Sequence, residues 1–255
     1  MSVDWSAGYS ELPAPTQLRV GISSIWVRVM PLADTAPVEV WPDAGVDVIW
    51  QQGRAALVAG PDTGPMPAAL EPGAVLVGAR FRPGAAGPAL GLPMHELRDR
   101  RVELSEIRAD LDRKISGDLT PDVAVGRVVE LAGEMVAAEP PDPLVRHAAQ
   151  RLADPTASLD DLMEEGDVSG RQLRRRFIQA LGYGPKVLER VLRFQRFLKL
   201  LESSPVANLA SAAVDLGYAD QAHMTRECRR LSGKTPGELR DELWPDRLDK
   251  RVFTK

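Results

Sequence analysis

Residues 208–233, NLASAAVDLGYADQAHMTRECRRLSG, decide the fold of the carboxy-terminal part of the chain. They predict a short helix, a tight turn at Gly217, and a second helix that begins after a capping residue, Asp220. Residues 158–182, SLDDLMEEGDVSGRQLRRRFIQALG, repeat this plan about 50 residues earlier, with Ser158 and Ser169 as the predicted caps and Gly182 as the predicted end of the second helix. The repetition predicts two helix-turn-helix units.

The second helix of each unit carries apolar residues on one face and long polar residues on the other. Leu173 and Phe177 are expected to hold the first of these helices against the core, and Met224 and Cys228 the second. A helix held in this way fits the major groove of DNA, where long donors at its start reach base edges. The candidate DNA-binding residues on the outward faces are Arg171, Gln172, Arg174, Arg175, Gln221, His223, Thr225 and Arg226.

Each of these candidates has an ordinary alternative. The arginines would also suit a solvated helix face, and His223 would suit a surface position or a phosphate contact. Arg176 adjoins the predicted core residue Phe177, so we expect it to meet a phosphate or an acidic side chain of the chain itself.

A long helix is predicted between the two units. Pro185 suits the first helical turn, and the apolar residues that follow form a broad stripe to Leu201, about 17 residues or 25 Å at 1.5 Å per residue. Such a helix would hold the two recognition helices in successive major grooves, roughly 34 Å apart. Lys186, at its start, is expected to contact a backbone phosphate.

Charge separates the chain into two parts. Residues 169–240 hold 14 lysines and arginines against 6 acidic residues, whereas residues 1–168 hold 14 basic and 26 acidic residues. The formal net charge of −4 hides this contrast. A basic segment beside an acidic one indicates a nucleic-acid-binding module joined to a domain that does not bind nucleic acid.

The first hundred residues alternate short apolar runs with turn-forming Gly and Pro. Runs such as GISSIWVRVM (21–30) and VDVIWQQGR (46–54) are typical of strands in a small barrel or sandwich. Helical spacing is predicted from Leu92 onward, in LPMHELRDRRVELSEI (92–107) and, after a start at Thr120-Pro121-Asp122, in residues 123–138. The prolines of EPPDP (139–143) then predict a linker.

The predicted fold class is therefore α+β, a β-rich amino-terminal barrel or sandwich-like domain followed by an all-α domain of two helix-turn-helix units joined by a long helix. The predicted divisions are a β-rich sensing or dimerisation domain (1–105), a helical connector with the Pro-rich linker (106–143), and the DNA-binding domain (144–255). The last of these is expected to fold and bind DNA alone.

Several of these segments together resemble the AraC/XylS family of transcriptional regulators. The resemblance covers residues 158–240 and is most specific in GRQLRRRF (170–177), LGYGPK (181–186), VLRFQR (191–196) and LGYADQAHMTRECRRLSGKTP (216–236). Residues 41–50, 58–65 and 77–93 are similar to the sensor-side domain of one subgroup. Two positions depart from the family pattern, since Cys228 stands where many members have Phe, and Gly170 where a larger residue often opens the first recognition helix.

The resemblance implies a regulatory or dimerising role for the amino-terminal domain. Trp26, Trp41, Trp50 and Arg80 are candidates for an effector pocket there, with burial in the core as the alternative for each tryptophan. Asp43 and Asp47 are expected to pair with Arg80 or Arg82 if they are buried. Cys228 is expected to be a buried apolar residue, with a redox sensor as the alternative.

A DNA-binding transcription regulator is thus the predicted function, and double-stranded DNA the predicted partner. RNA polymerase, a small-molecule effector and a second copy of the chain in a homodimer are open further partners. The alternatives are an architectural DNA-bending protein without sequence preference and an enzyme with a residual DNA-binding domain. No catalytic residues, cofactor or metal ligands are expected, and neither an apolar run nor the start of the chain indicates a membrane segment or a signal peptide, so cytoplasm is the expected compartment.

Overall fold

The computed structural model describes residues 5, 8–33, 38–68, 70–138, 140–155, 157, 159–203 and 208–243. A β-rich sheet domain comes first and a helical domain follows, which confirms the predicted fold class. No helix in these ranges combines the length and the apolar character needed to cross a bilayer.

The sheet domain contains one large and one small antiparallel sheet. The large sheet has six strands in the order β1-β2-β7-β4-β5-β8, and the small one pairs β3 with β6. Their bounds are β1 Tyr9–Pro13, β2 Ile22–Val29, β3 Val38–Val40, β4 Val46–Gln51, β5 Leu57–Ala59, β6 Met66–Ala68, β7 Val75–Phe81 and β8 Arg101–Glu103.

Both faces of the large sheet are covered. One face carries most of the domain's buried residues, including Ile22, Trp50 and Phe81, and packs with three helices, α1 Ala86–Leu90, α2 Leu104–Ile115 and α3 Pro121–Ala138. The other face buries a smaller cluster around Trp26 and Ile49. Because its central strands are enclosed on both sides, they show nearly continuous apolar runs.

The helical prediction for residues 92–107 is wrong in part. This stretch forms a single 3-10 turn at Met94–Glu96 and then strand β8, and α2 begins only at Leu104. Val102 pairs with Val58 of β5 at the edge of the large sheet. The pairing satisfies backbone groups that helical spacing in the sequence does not reveal.

The helical domain contains seven helices in the described ranges, and two of the three predicted capping residues, Ser169 and Asp220, cap helices there. Asp142 caps α4 and Pro143 is its first residue, so the predicted non-helical stretch ends at Asp142 rather than at Pro143. Ser158, the predicted cap of α5, lies outside the described residues. The bounds are α4 Pro143–Leu152, α5 Leu159–Glu165, α6 Gly170–Leu181, α7 Pro185–Ser203, α8 Leu209–Asp215, α9 Gln221–Ser232 and α10 Pro236–Leu243.

Helix α7 is the predicted long connection between the two units. It begins at Pro185, as expected, and extends two residues beyond the predicted end. Its buried face includes Leu188, Val191, Phe194 and Phe197, which join the core shared by both units.

Candidate DNA-binding surface

The first helix-turn-helix unit consists of α5, a turn and α6. The Ser169 hydroxyl accepts a hydrogen bond from the backbone N–H of Gln172, while the Gln172 side chain accepts one from the backbone N–H of Ser169. This reciprocal capping box fixes the start of α6. The helix ends at Gly182, whose positive φ of 80° is readily adopted by glycine.

The second unit, α8 and α9, is built in the same way. Asp220 accepts a hydrogen bond from the backbone N–H of His223 at 2.6 Å, and α9 ends at Gly233 with a φ of 74°. The predicted caps Ser169 and Asp220 are both confirmed. Each recognition helix therefore contains 12 residues between a polar cap and a left-handed glycine.

Counting from the caps places the two recognition helices in one register. Leu173 and Met224 stand four residues after their caps, and Phe177 and Cys228 stand eight residues after them. All four are buried, as predicted. The opposite faces of α6 and α9 are consequently the ones that remain open to solvent.

Most of the candidate DNA-binding residues lie on these open faces. The exposed ones are Arg171, Gln172, Arg174, Arg175, Gln221 and Arg226, together with Lys186 in the first turn of α7, whereas His223 and Thr225 are half-buried.

Gln172, His223 and Thr225 make hydrogen bonds with residues three or four positions earlier in the chain. The side-chain oxygen Oε1 of Gln172 also accepts a hydrogen bond from the Ser169 hydroxyl at 3.0 Å. The Thr225 hydroxyl donates to the backbone carbonyl of Gln221 at 2.9 Å. His223 Nδ1 accepts from the Ala219 N–H at 3.2 Å, and its ring packs edge-on against Tyr218. The capping role of Gln172 was missed, although its position three residues after Ser169 is the sequence signal for it.

Ion pairs connect the recognition helices to their neighbours. Arg176 pairs with Asp142 at 3.4 Å, which is the internal acidic partner expected for it. At the equivalent position of the second unit the charge is reversed, and Glu227 lies 3.7 Å from Arg190 of α7. The same position thus attaches α6 to the cap of α4 and α9 to the long helix.

Cys228 is packed inside the second unit. Burial, with a contribution from Glu227, raises the pKa of its thiol to about 12. A thiol in this state is a poor nucleophile at neutral pH, because little thiolate is present. The environment is that of a buried apolar residue rather than of a redox sensor.

The effector-pocket candidates of the sheet domain do not surround one cavity in the described structure. Trp26 and Arg80 meet at Asp47, where the Trp26 indole donates at 3.2 Å and Arg80 donates twice at 3.1 Å. Trp50 lies in the core on the other face of the sheet, and Trp41 packs against Phe194 of α7.

The expected pairing of buried Asp47 with Arg80 is confirmed, and Arg80 also lies 2.9 Å from the half-buried Asp43. Burial alone would lower the pKa of Arg80, but Asp47 and Asp43 raise it well above its ordinary value. Arg82, by contrast, donates to the Arg19 carbonyl.

Comparison with known families agrees with the paired units. Residues 162–242 match the family model of a helix-turn-helix domain, a range that includes both recognition helices. The carboxy-terminal part of the chain therefore contains an AraC-type helix-turn-helix domain. Residues 10–103 match a second model, described as a domain of unknown function (DUF6597). The protein is a DNA-binding transcription regulator.

Solved structures show distant likenesses to this chain. The carboxy-terminal domain of AraT, a response regulator from Geobacillus stearothermophilus, is 22% identical, with 45% of this chain and 94% of that chain covered and a TM-score of 0.37. An apo variant of ToxT from Vibrio cholerae is 10% identical over 91% of this chain and 100% of that one, with a TM-score of 0.45. Unsaturated fatty acid-bound ToxT is 10% identical over 95% and 96%, with a TM-score of 0.42. No curated protein matches the chain.

Proposed function

We propose that this regulator reads two half-sites on one face of DNA, with α6 in one major groove and α9 in the next. The observation that carries the proposal is the shared register of the two helices, which leaves Arg174, Arg175 and Arg226 exposed on equivalent faces. In this arrangement the acidic sheet domain faces away from the phosphates. Binding without catalysis, in the cytoplasm, is the proposed mode of action.

The exposed basic residues have two different roles in this proposal. Arg171 and Arg174 of α6 and Arg226 of α9 lie in the first half of their helices, where a guanidinium can donate twice to guanine O6 and N7. Lys186 lies outside both recognition helices, in the first turn of α7, and its ammonium suits a backbone phosphate.

Alanine substitutions distinguish these roles. The cognate duplex is first selected from a genome-derived fragment pool with the full-length protein. Arg174→Ala or Arg226→Ala should then reduce the binding free energy by about 1 to 3 kcal/mol on that duplex and by much less on random duplex. Lys186→Ala should reduce the affinity for both duplexes by a similar factor. It should also lower the slope of log affinity against log salt concentration by about one. Fluorescence anisotropy titrations at several salt concentrations measure these changes.

Arg113→Ala is the matched control, since Arg113 is an exposed arginine on α2 of the sheet domain. It removes the same charge and should leave both affinities unchanged. If neither Arg174→Ala nor Arg226→Ala changes the ratio of cognate to random affinity, the two helices do not read sequence. In that case an architectural, sequence-independent binder becomes the better description.

For the sheet domain we propose a regulatory role. Its contacts with both units, described below, support a signal that passes to DNA binding through the protein core. A small-molecule effector or a second copy of the chain is the proposed source of such a signal, and RNA polymerase is a further proposed partner. Analytical ultracentrifugation with and without cognate duplex tests the second copy directly.

A further inference from the structure

The end of the first recognition helix rests on the sheet domain. A Cβ atom added at Gly182 would lie 2.8 Å from Pro61 Cγ and 2.9 Å from the Met94 carbonyl oxygen. Arg98 donates to the Gly182 carbonyl at 3.3 Å. We call this contact of Pro61, Met94 and Arg98 with Gly182 the first anchor.

A separate part of the sheet domain meets the end of the second recognition helix. Lys234, which directly follows the terminal glycine of α9, lies 3.1 Å from Glu39 and 5.4 Å from the centre of the Trp41 ring. Trp41 also meets α7, with its ring centroid 6.2 Å from that of Phe194. We call the contact of Glu39 and Trp41 with Lys234 and Phe194 the second anchor.

The chain on either side of Trp41 strengthens the second anchor. The Pro42 carbonyl accepts a 2.7 Å hydrogen bond from Gln195 of α7. Ala44 is buried in the same core cluster as Phe194 and belongs to the helical domain's core although it lies in the sheet domain. Trp41 therefore occupies a specific packed position and is more than a surface aromatic residue.

Ion pairs hold both anchors to the large sheet. Asp43, two residues after Trp41, pairs with Arg80 of β7 at 2.9 Å. Asp62, next to Pro61, accepts two hydrogen bonds from Arg101 of β8, at 2.8 and 2.7 Å. One sheet thus supports two contacts, each at the end of a different recognition helix.

We propose that these two anchors set the spacing and relative angle of α6 and α9, which makes Trp41 and the Pro61 loop positioning elements for DNA reading. The inference rests on the proposed function, in which both helices bind one duplex. The sheet domain then contributes to the choice of operator geometry without touching DNA. Helix α7 alone would leave the end of each recognition helix without this support.

A matched pair of glycines isolates the first anchor. Gly182 and Gly233 stand at the same register position with similar positive φ values, 80° and 74°. An added Cβ meets Pro61 and Met94 at Gly182, but nothing within 4 Å at Gly233. Gly182→Ala and Gly233→Ala therefore share the backbone strain of a left-handed alanine, and only Gly182→Ala disturbs the domain contact.

The first experiment measures tolerance to half-site spacing. The full-length protein and its variants are titrated with the selected duplex and with duplexes whose half-sites are one base pair closer or farther, which turns one half-site by about 35°. On the duplexes with altered spacing, the unchanged protein and Gly233→Ala should bind roughly tenfold more weakly, or worse, than on the selected duplex, a loss like that from a mismatched base pair. Trp41→Ala and Gly182→Ala should lose less than about threefold.

Lys114→Gln is a further control, because it removes a Lys–Glu pair between α2 and α3, away from both anchors. Trp41→Phe keeps an aromatic ring at the second anchor and should behave like the unchanged protein. If Trp41→Ala and Gly182→Ala keep the full spacing penalty, or bind every spacing equally worse, the anchors support only folding and the inference is overturned. Failure to select any preferred duplex would instead overturn the proposed function.

A second experiment needs no DNA. Spin labels on cysteines at two exposed positions, Gln179→Cys and Arg229→Cys, report the distance between α6 and α9 by pulsed electron paramagnetic resonance. Cys228 is buried and should stay unlabelled. The distance distribution should be narrow, and Trp41→Ala should broaden it by more than Gly233→Ala does. Equal widths in all three proteins would show that the anchors do not position the helices.

Discussion

The two helix-turn-helix units share one plan but differ in how each position is used. Eight residues after the cap, the first unit buries Phe177 and the second buries Cys228. At the end of the recognition helix, Gly182 is enclosed by the sheet domain and Gly233 is open. The difference teaches that caps and turns set the register of each helix locally, whereas the residues that pack against a position determine which side chain fits there.

The largest expected difference concerns the two equivalent core positions. Phe177→Ala should lower the free energy of unfolding by about 3 to 5 kcal/mol, because a large buried ring leaves a cavity. Cys228→Ala removes a single sulfur atom and should cost clearly less. Chemical denaturation of both variants checks this order. Equal losses in the free energy of unfolding would show that the core of the second unit tolerates a smaller side chain no better than that of the first.

Removing the sheet domain should have the next largest effect. A fragment of residues 144–255 lacks Trp41 and Ala44, and we expect it to fold with an unfolding free energy lower by at least about 1.5 to 3 kcal/mol, the contribution of one large apolar side chain. Circular dichroism melts measure the loss. A matched fragment that begins at Asp142 retains the cap of α4 and should recover about 1 kcal/mol, and a fragment with no helical signal at neutral pH would contradict independent folding.

Cys228→Ser should cost about 1 to 3 kcal/mol, because the change buries a hydroxyl within the second unit. Since burial raises the thiol pKa to about 12, very little thiolate is present at pH 7. Alkylation by iodoacetamide should therefore be slow in the native protein and rapid in denaturant. Fast labelling of the native protein at pH 7 would support a redox role instead.

The smallest expected effect concerns the turns of the two units. Asp167 adopts a φ of 45°, two residues after α5, and Gly217 adopts 80°, two residues after α8. Gly217→Val should cost about 1 to 2 kcal/mol, since a β-branched residue is strained in the left-handed region, whereas Asp167→Gly should change stability by less than about 1 kcal/mol. Thermal melts of the two variants test this contrast, which fails if Asp167→Gly is the more destabilising change.

The parts of the fold that depend on local chemistry could be predicted from the sequence. Ser169 and Asp220 cap their helices, Pro185 opens α7, and Gly182 ends α6, because each residue type satisfies the backbone next to it. The spacing of apolar residues three and four positions apart also identified which faces of α6 and α9 are buried.

The parts that depend on distant residues could not be predicted. Strand β8 exists because Val102 pairs with Val58, more than 40 residues earlier in the chain. Gly182 was expected only as a helix end, and its second role beside Pro61 and Met94 appears only when the two domains meet. Trp41 was a candidate for an effector pocket, but its packing against Phe194 depends on a partner some 150 residues away.

The capping box of α6 has a thermodynamic consequence for recognition. Because Ser169 and Gln172 already satisfy each other's backbone groups, the first turn of this helix is ordered before any DNA arrives. The regulator then loses little conformational entropy of the backbone when α6 enters a groove, and the ordering cost falls mainly on the arginine side chains. If Gln172 turns to a base instead, it gives up its two hydrogen bonds to Ser169, so pre-organisation of the helix opposes direct reading by this residue.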